Sequence, residues 1–169
     1  MQATTLLWGT ANPEGMRNYS GVYLSTDDIR DMIAQVEDSN RQGNPMPVHV
    51  EHKGVCVGRV LTAWEHQGSL ECVLALNTGV LEGSIGSEFV RAGICRDLSM
   101  GYTLSMEQSA NGSLKVGKKR LREISIVKRG ARPRCHIHGV SSSSGSGPAG
   151  ASSPACAAPA AATARRSVT

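Results

Sequence analysis

Apolar and polar positions alternate most clearly in the run Arg96-Asp97-Leu98-Ser99-Met100-Gly101-Tyr102. In an extended chain Leu98, Met100 and Tyr102 face one way, and Ser99 and Gly101 the other. A serine is thus mounted on a packed strand yet turned away from that strand's apolar face. The same two-residue period predicts strands at Thr4–Gly9, Gly21–Leu24, Pro47–His52, Val55–Trp64, Leu70–Leu76, Ser99 to about Met106, and Leu121–Val127. In the last of these, Leu121, Glu123, Ser125 and Val127 alternate with Ile124 and Ile126. Asn111-Gly112 is a turn signal between two strands, and Gly58 marks a bend or bulge.

Helical spacing is found mainly in one place. Ile29, Met32, Ile33 and Val36 form a stripe through about Asp38, with Ser25 or Thr26 as cap and Asp27 and Asp28 in the first turn. A second, short helix is expected over Ser87–Ala92, ending at Gly93. Closely spaced strands with local connections predict a mainly β fold with some α: a closed, antiparallel-rich barrel of about seven strands, with helices outside.

Composition divides the 169 residues in two. Residues 1–140 form one domain able to bury a core. With only 4% aromatic residues, Val, Ile, Leu and Met must fill it. From Ser141 to Thr169 the chain is almost entirely Ser, Gly, Ala, Pro and Thr. Such a tail cannot offset the entropy of ordering, and it is expected to be a flexible linker.

The net charge of +4 includes a basic cluster at Lys115, Lys118, Lys119, Arg120 and Arg122. It reads as a solvated hairpin loop rather than a nucleic-acid patch. The five cysteines, at 56, 72, 95, 135 and 156, include no Cys-x-x-Cys pair and are expected as free thiols of a reducing, intracellular compartment. The sequons at Asn18 and Asn111 are then unused. No apolar run reaches the ~20 residues of a membrane helix.

Acyl transfer needs a nucleophile, a base and a group that orients the base. Ser99 is the candidate nucleophile; the plainer reading is a solvated hydroxyl. His52, just before the Lys53-Gly54 break, is the candidate base; the plainer reading is a surface histidine. Glu123, a lone acid in an apolar strand, is the candidate orienting group; otherwise it is a surface glutamate paired with Arg122. His49, His52, His136 and His138 raise the question of zinc. But His49 and His52, three apart in a strand, would lie on opposite faces, and no metal site is expected. There is no Gly-x-Ser-x-Gly elbow, His-Glu-x-x-His or P-loop.

Three segments together carry a resemblance: Pro47-Val-His-Val-Glu-His52 with Val57-Gly-Arg-Val60, Asp97-Leu-Ser-Met-Gly-Tyr102, and Arg122-Glu-Ile-Ser-Ile-Val-Lys-Arg129. In order and spacing they resemble the three blocks of the herpesvirus capsid maturation protease family, assemblin, which is related to the prohead proteases of tailed phages. The likeness covers most of residues 1–140.

The resemblance implies a seven-stranded barrel ringed by helices and a serine endopeptidase without a cofactor. It acts as a homodimer in the herpesvirus branch, and cleaves the internal capsid scaffold and itself inside infected cells and immature capsids. It aligns His52 with the catalytic histidine and Ser99 with the nucleophile. It also places an oxyanion donor at the backbone N–H of Arg129, with Arg132 as the alternative. The third block departs from the herpesvirus pattern: Glu123 stands where those enzymes carry a second histidine, as in the phage branch. The chain therefore looks intermediate, from a divergent herpesvirus or related virus, and His136 and His138 remain alternatives to Glu123. Family members are made fused to scaffold and cut themselves free, so a release site is expected in or beyond the alanine-rich tail.

Overall fold

The computed structural model describes residues 4–143. Its elements run β1 (Thr4–Asn12), α1 (Thr26–Arg41), β2 (Pro47–Val50), β3 (Lys53–His66), β4 (Ser69–Asn77), α2 (Leu81–Arg91), β5 (Asp97–Gln108), β6 (Leu114–Val127) and β7 (Ile137–Ser143). The strands form one sheet in the order β5-β6-β2-β3-β4-β1-β7. Every pairing is antiparallel except β2 with β6.

The class is mainly β, as the alternation predicts, but the sheet is not a closed barrel. Its two ends, β5 and β7, meet only at an isolated bridge, Asp97 with His136. Two hydrogen bonds flank it, Leu98 N–H to Cys135 O and Ile137 N–H to Arg96 O, each 2.9 Å. Beyond that point β5 follows β6 outward as a long hairpin, while β7 follows β1.

The core lies on one face of this sheet. Leu7, Val48, Val60, Leu74, Leu98, Ile124 and Ile126 are fully buried, together with Ile29, Met32 and Val36 from α1. Each such side chain contributes roughly 1.5–3 kcal/mol by leaving water. Helix α1 starts where expected. Ser25 Oγ accepts the Asp28 N–H at 3.1 Å, and Asp28 Oδ2 accepts the Ser25 N–H at 2.8 Å, a reciprocal capping box. Gln35 then holds β6, accepting the Leu121 N–H at 2.8 Å and donating to Lys119 O at 3.1 Å.

Four expectations change. Gly21–Leu24 is a loop rather than a strand. Helix α2 begins at Leu81, well before Ser87. Its buried face is Gly83, Gly86 and Ser87, small residues that allow close approach to the sheet but give no apolar stripe to read. The basic cluster belongs to β6 itself, since the hairpin strands extend almost to the Asn111-Gly112 turn. And β7 continues through Ser141 to Ser143, pairing with Leu6 to Thr4, past the boundary expected at Val140. The rest of the expected linker lies outside the described residues.

Cys72, Cys95 and Cys135 are buried free thiols, and burial pushes that of Cys135 up to about 11. Cys56 departs from the free-thiol expectation: it is disulfide-bonded. Among the described residues no helix is long and apolar enough to cross a membrane, and no cluster of His, Cys, Asp or Glu is arranged to hold a metal.

Candidate active site

The register of three neighbouring strands assembles a polar row on the sheet face opposite Leu98, Ile124 and Ile126. Ser99 of β5 lies opposite Ser125 of β6, and Ser125 lies opposite His49 of β2. One step along, Gly101 lies opposite Glu123. Residues opposite one another point to the same side, and residues two apart in a strand do too. Ser99, Ser125, Glu123 and His49 therefore share one face. That face is not solvated: Ser99 is 3% exposed, Ser125 0% and Glu123 7%.

His52 reaches this face from beyond the end of β2. The strand stops at Val50, and Glu51 and His52 take left-handed backbone angles, φ 51° and 56°. Non-glycine residues are held there at a cost of roughly 1–2 kcal/mol each. Three hydrogen bonds hold the turn: Glu51 N–H to Ile126 O at 3.0 Å, His52 N–H to Ser125 Oγ at 3.2 Å, and Lys128 N–H to Glu51 Oε1 at 2.7 Å. Strain of this kind gathers at functional sites, where the surrounding structure over-determines it.

The turn lays the imidazole between the two predicted partners. Nε2 is 2.9 Å from Ser99 Oγ, and Nδ1 is 2.5 Å from Glu123 Oε1. Pairing with a carboxylate fixes the tautomer. Nδ1 carries the proton and donates it to Glu123, which leaves Nε2 free to accept from the serine hydroxyl. The hydrogen bond to Glu123 raises the His52 pKa above the ordinary value; burial opposes this, and the charges of Glu123 and Glu51 add to the rise.

The left-handed turn also overturns the inference that His49 and His52 face opposite sides. That inference assumed a continuous strand. In the structure both rings approach Glu123, with His49 Nδ1 3.9 Å from Oε2. Ser125 donates to the same Oε2 at 2.5 Å. Ser125 and Glu51 were not singled out from the sequence. Ser125 was legible in principle, since it sits two residues from Glu123 in an otherwise apolar run.

The other candidates lie elsewhere. His136 Nδ1 is 2.8 Å from Asp97 Oδ1. His138 Nε2 is 2.8 Å from Thr10 Oγ1 and 3.6 Å from Glu71 Oε2. Arg129 is exposed, with its guanidinium 5.5 Å from the centre of the Tyr19 ring. The residues flanking it are both held by carboxylates: Lys128 N–H by Glu51, and Gly130 N–H by Asp97 Oδ2 at 2.8 Å. Arg132 is buried; its guanidinium donates to Met16 O, Val22 O and the Tyr102 hydroxyl at 3.2–3.3 Å, fastening the segment after β1 to β5.

No protein-family model and no curated protein matches this sequence. Solved structures do match in fold. The protease of Kaposi's sarcoma-associated herpesvirus, in complex with a hexapeptide phosphonate inhibitor, has a TM-score of 0.50 at 15% identity over 83% of this chain. This chain spans 65% of the length of that protease. The capsid assembly protease gp21 of bacteriophage T4 has a TM-score of 0.43 at 11% identity, over 73% of this chain and 98% of its own. The chain is a divergent example of the herpesvirus protease fold.

Proposed function

We propose that this protein is a serine endopeptidase. The observation that carries the reading is the single imidazole held between a buried serine hydroxyl and a buried carboxylate, 2.9 Å and 2.5 Å away. Ser99 Oγ attacks the scissile carbonyl carbon while its proton passes to His52 Nε2. Glu123 stabilises the imidazolium that forms and keeps the ring from turning. His52 then returns the proton to the departing amine, leaving an acyl-serine. Water, deprotonated by the same nitrogen, attacks that ester; the acid product leaves and Ser99 regains its proton. The Arg129 backbone N–H is assigned to the oxyanion. Its peptide lies between two N–H groups anchored by Glu51 and Asp97, and the residue after it packs on β5, where a β-carbon at Gly130 would lie 3.0 Å from Leu98 O.

The fold shared with viral proteases and the resemblance in the three blocks support a narrower reading. The substrate is the internal scaffold of a viral capsid, with self-release in or beyond the alanine-rich tail. The enzyme acts as a homodimer within infected cells and immature capsids. Specific activity that stays constant on dilution to monomer would refute the dimer. The rival reading is a non-enzymatic binding module whose basic β5–β6 hairpin meets acidic partners.

A fluorophosphonate probe separates the two classes. The peptidase is labelled at Ser99, and Ser99→Ala is not. Mass spectrometry of a longer precursor, incubated with and without Ser99, tests self-cleavage and locates the bond. An unlabelled, uncleaved parent chain removes the enzyme reading.

A further inference from the structure

We propose that Ser125 is a positioning residue of this site, one hydroxyl fixing both the acid and the base. The inference rests on the serine-peptidase reading above. Ser125 touches no reacting atom. It acts through two groups that do the work, the Glu123 carboxylate and the backbone that carries His52.

The placement of Ser125 is unusually constrained. Its strand is paired on both sides, with β5 and with β2, so its backbone has no freedom. Its neighbours Ile124, Ile126 and Val127 are all apolar and buried, and a valine would satisfy the strand pattern as well. A fully buried hydroxyl in such a run is costly unless it is hydrogen-bonded. Both of its capacities are used. The O–H donates to Glu123 Oε2 at 2.5 Å, and the oxygen accepts the His52 N–H at 3.2 Å.

The consequences differ for the two partners. Glu123 has several rotatable bonds and two oxygens, and one hydrogen bond to an imidazole leaves its carboxylate free to rotate. The second hydrogen bond, from Ser125 to the other oxygen, fixes the plane of the carboxylate so that Oε1 faces Nδ1. His52 sits in a left-handed conformation whose N–H would otherwise lack a partner in the sheet, and Ser125 supplies one. The distance between base and acid is therefore set by one side chain bonded to both. His49, 3.9 Å from Oε2, stands behind the same oxygen but beyond hydrogen-bond length.

The test uses the full chain and a fluorophosphonate probe, whose rate of reaction with Ser99 is read from pH 5 to 9. The charged and titratable groups facing His52 are Glu123 from β6, Glu51 from its own turn and, across Glu123, His49 from β2. Ser125→Ala should label roughly 10- to 100-fold more slowly, the scale of a lost outer partner. The midpoint of its pH–rate curve should move down towards the ordinary histidine value, because the Glu123 bond that raises it is loosened. Ser125→Thr, which keeps the hydroxyl, should restore both. In a Glu123→Gln background, Ser125→Ala should cost clearly less than in the parent, since only its bond to the His52 N–H is then left to lose. If the alanine variant does not fold, Ser125→Cys fills similar space with a weaker donor and carries the same expectations. Parent-like rate and midpoint in a folded Ser125→Ala or Ser125→Cys variant overturn the assignment. So does a full additive loss in the Glu123→Gln background. A parent chain that does not label at Ser99 overturns the peptidase reading itself, and the assignment with it.

Discussion

The Glu123 carboxylate occupies the space that a side chain at Gly101 would need. A β-carbon there would overlap Glu123 Oε1 and come within 2.8 Å of Cδ. The glycine is required by close approach, since its backbone is not among the left-handed positions. Gly101→Ala should therefore push the carboxylate off His52 and approach the loss expected for Glu123→Gln. That loss is roughly two to four powers of ten in kcat, the range for a triad without its orienting acid. Combining the two substitutions should cost little more than either alone. Full kcat in Gly101→Ala would mean that Glu123 can move without consequence.

Ser99→Ala should remove hydrolysis almost completely, by roughly six powers of ten, with the fold intact. The hydroxyl is buried but faces His52, which is itself part exposed, so the group left without its partner can turn to water. A loss of stability of about 1 kcal/mol is expected for one net hydrogen bond. Thermal unfolding and peptide hydrolysis measured on the same preparation check both halves. Residual hydrolysis near the parent rate would take the nucleophile away from Ser99.

Much of this site was legible because strand parity is a strong constraint. It placed Ser99 and Gly101 together on β5, and Glu123 and Ser125 together on β6, before any contact was known. What parity could not supply was the end of β2. Val50-Glu51-His52 gives only a faint sign of two consecutive left-handed residues: histidine is enriched there, but glutamate is not, and no glycine, asparagine or aspartate is present. That turn is what brings His49 and His52 to the same carboxylate. The open sheet was also hidden. Local strand connections suit an open or a closed sheet equally, and the outcome depends on β5 and β7 meeting at one bridge only. Helix α2 leaves a weak signature in the sequence because its packed face is glycine and serine.

The pH dependence follows from Glu123. Its hydrogen bond raises the His52 pKa, and catalysis needs the neutral ring, so activity should fall as pH drops through a value above ~6.5. Glu123→Gln should move that limb down. The sign for stability is the reverse. The protonated pair stabilises the fold fully below the unfolded histidine value of ~6.5, and the contribution is lost as pH rises through the raised folded value. Kinetics from pH 5 to 9, with thermal unfolding over the same range, test both. An unmoved limb in Glu123→Gln would detach the raised pKa from this carboxylate.

The remaining histidines bear on which residue completes the triad. His136 and His138 alternate in the segment around the start of β7, and each already has partners. His136 bonds Asp97, and His138 bonds Thr10 beside Glu71. Their side chains are also about half exposed, at 57% and 47%, so solvent screens any charge they carry. Glu123 is buried and within 2.5 Å of Nδ1, where a charge-assisted hydrogen bond is strongest. His138→Ala should therefore leave kcat within about threefold of the parent. His136→Ala should do the same, because Asp97 holds Gly130 N–H through its other oxygen and keeps that bond without the histidine. Asp97→Asn, by contrast, weakens the anchor of the segment carrying Arg129, and should lower kcat by about tenfold, the scale of a lost outer partner, with KM little changed. Hydrolysis of one peptide by all three variants, compared with Glu123→Gln, decides the matter. A large loss in either histidine variant, with Glu123→Gln near the parent, would move the third role of the triad to that histidine.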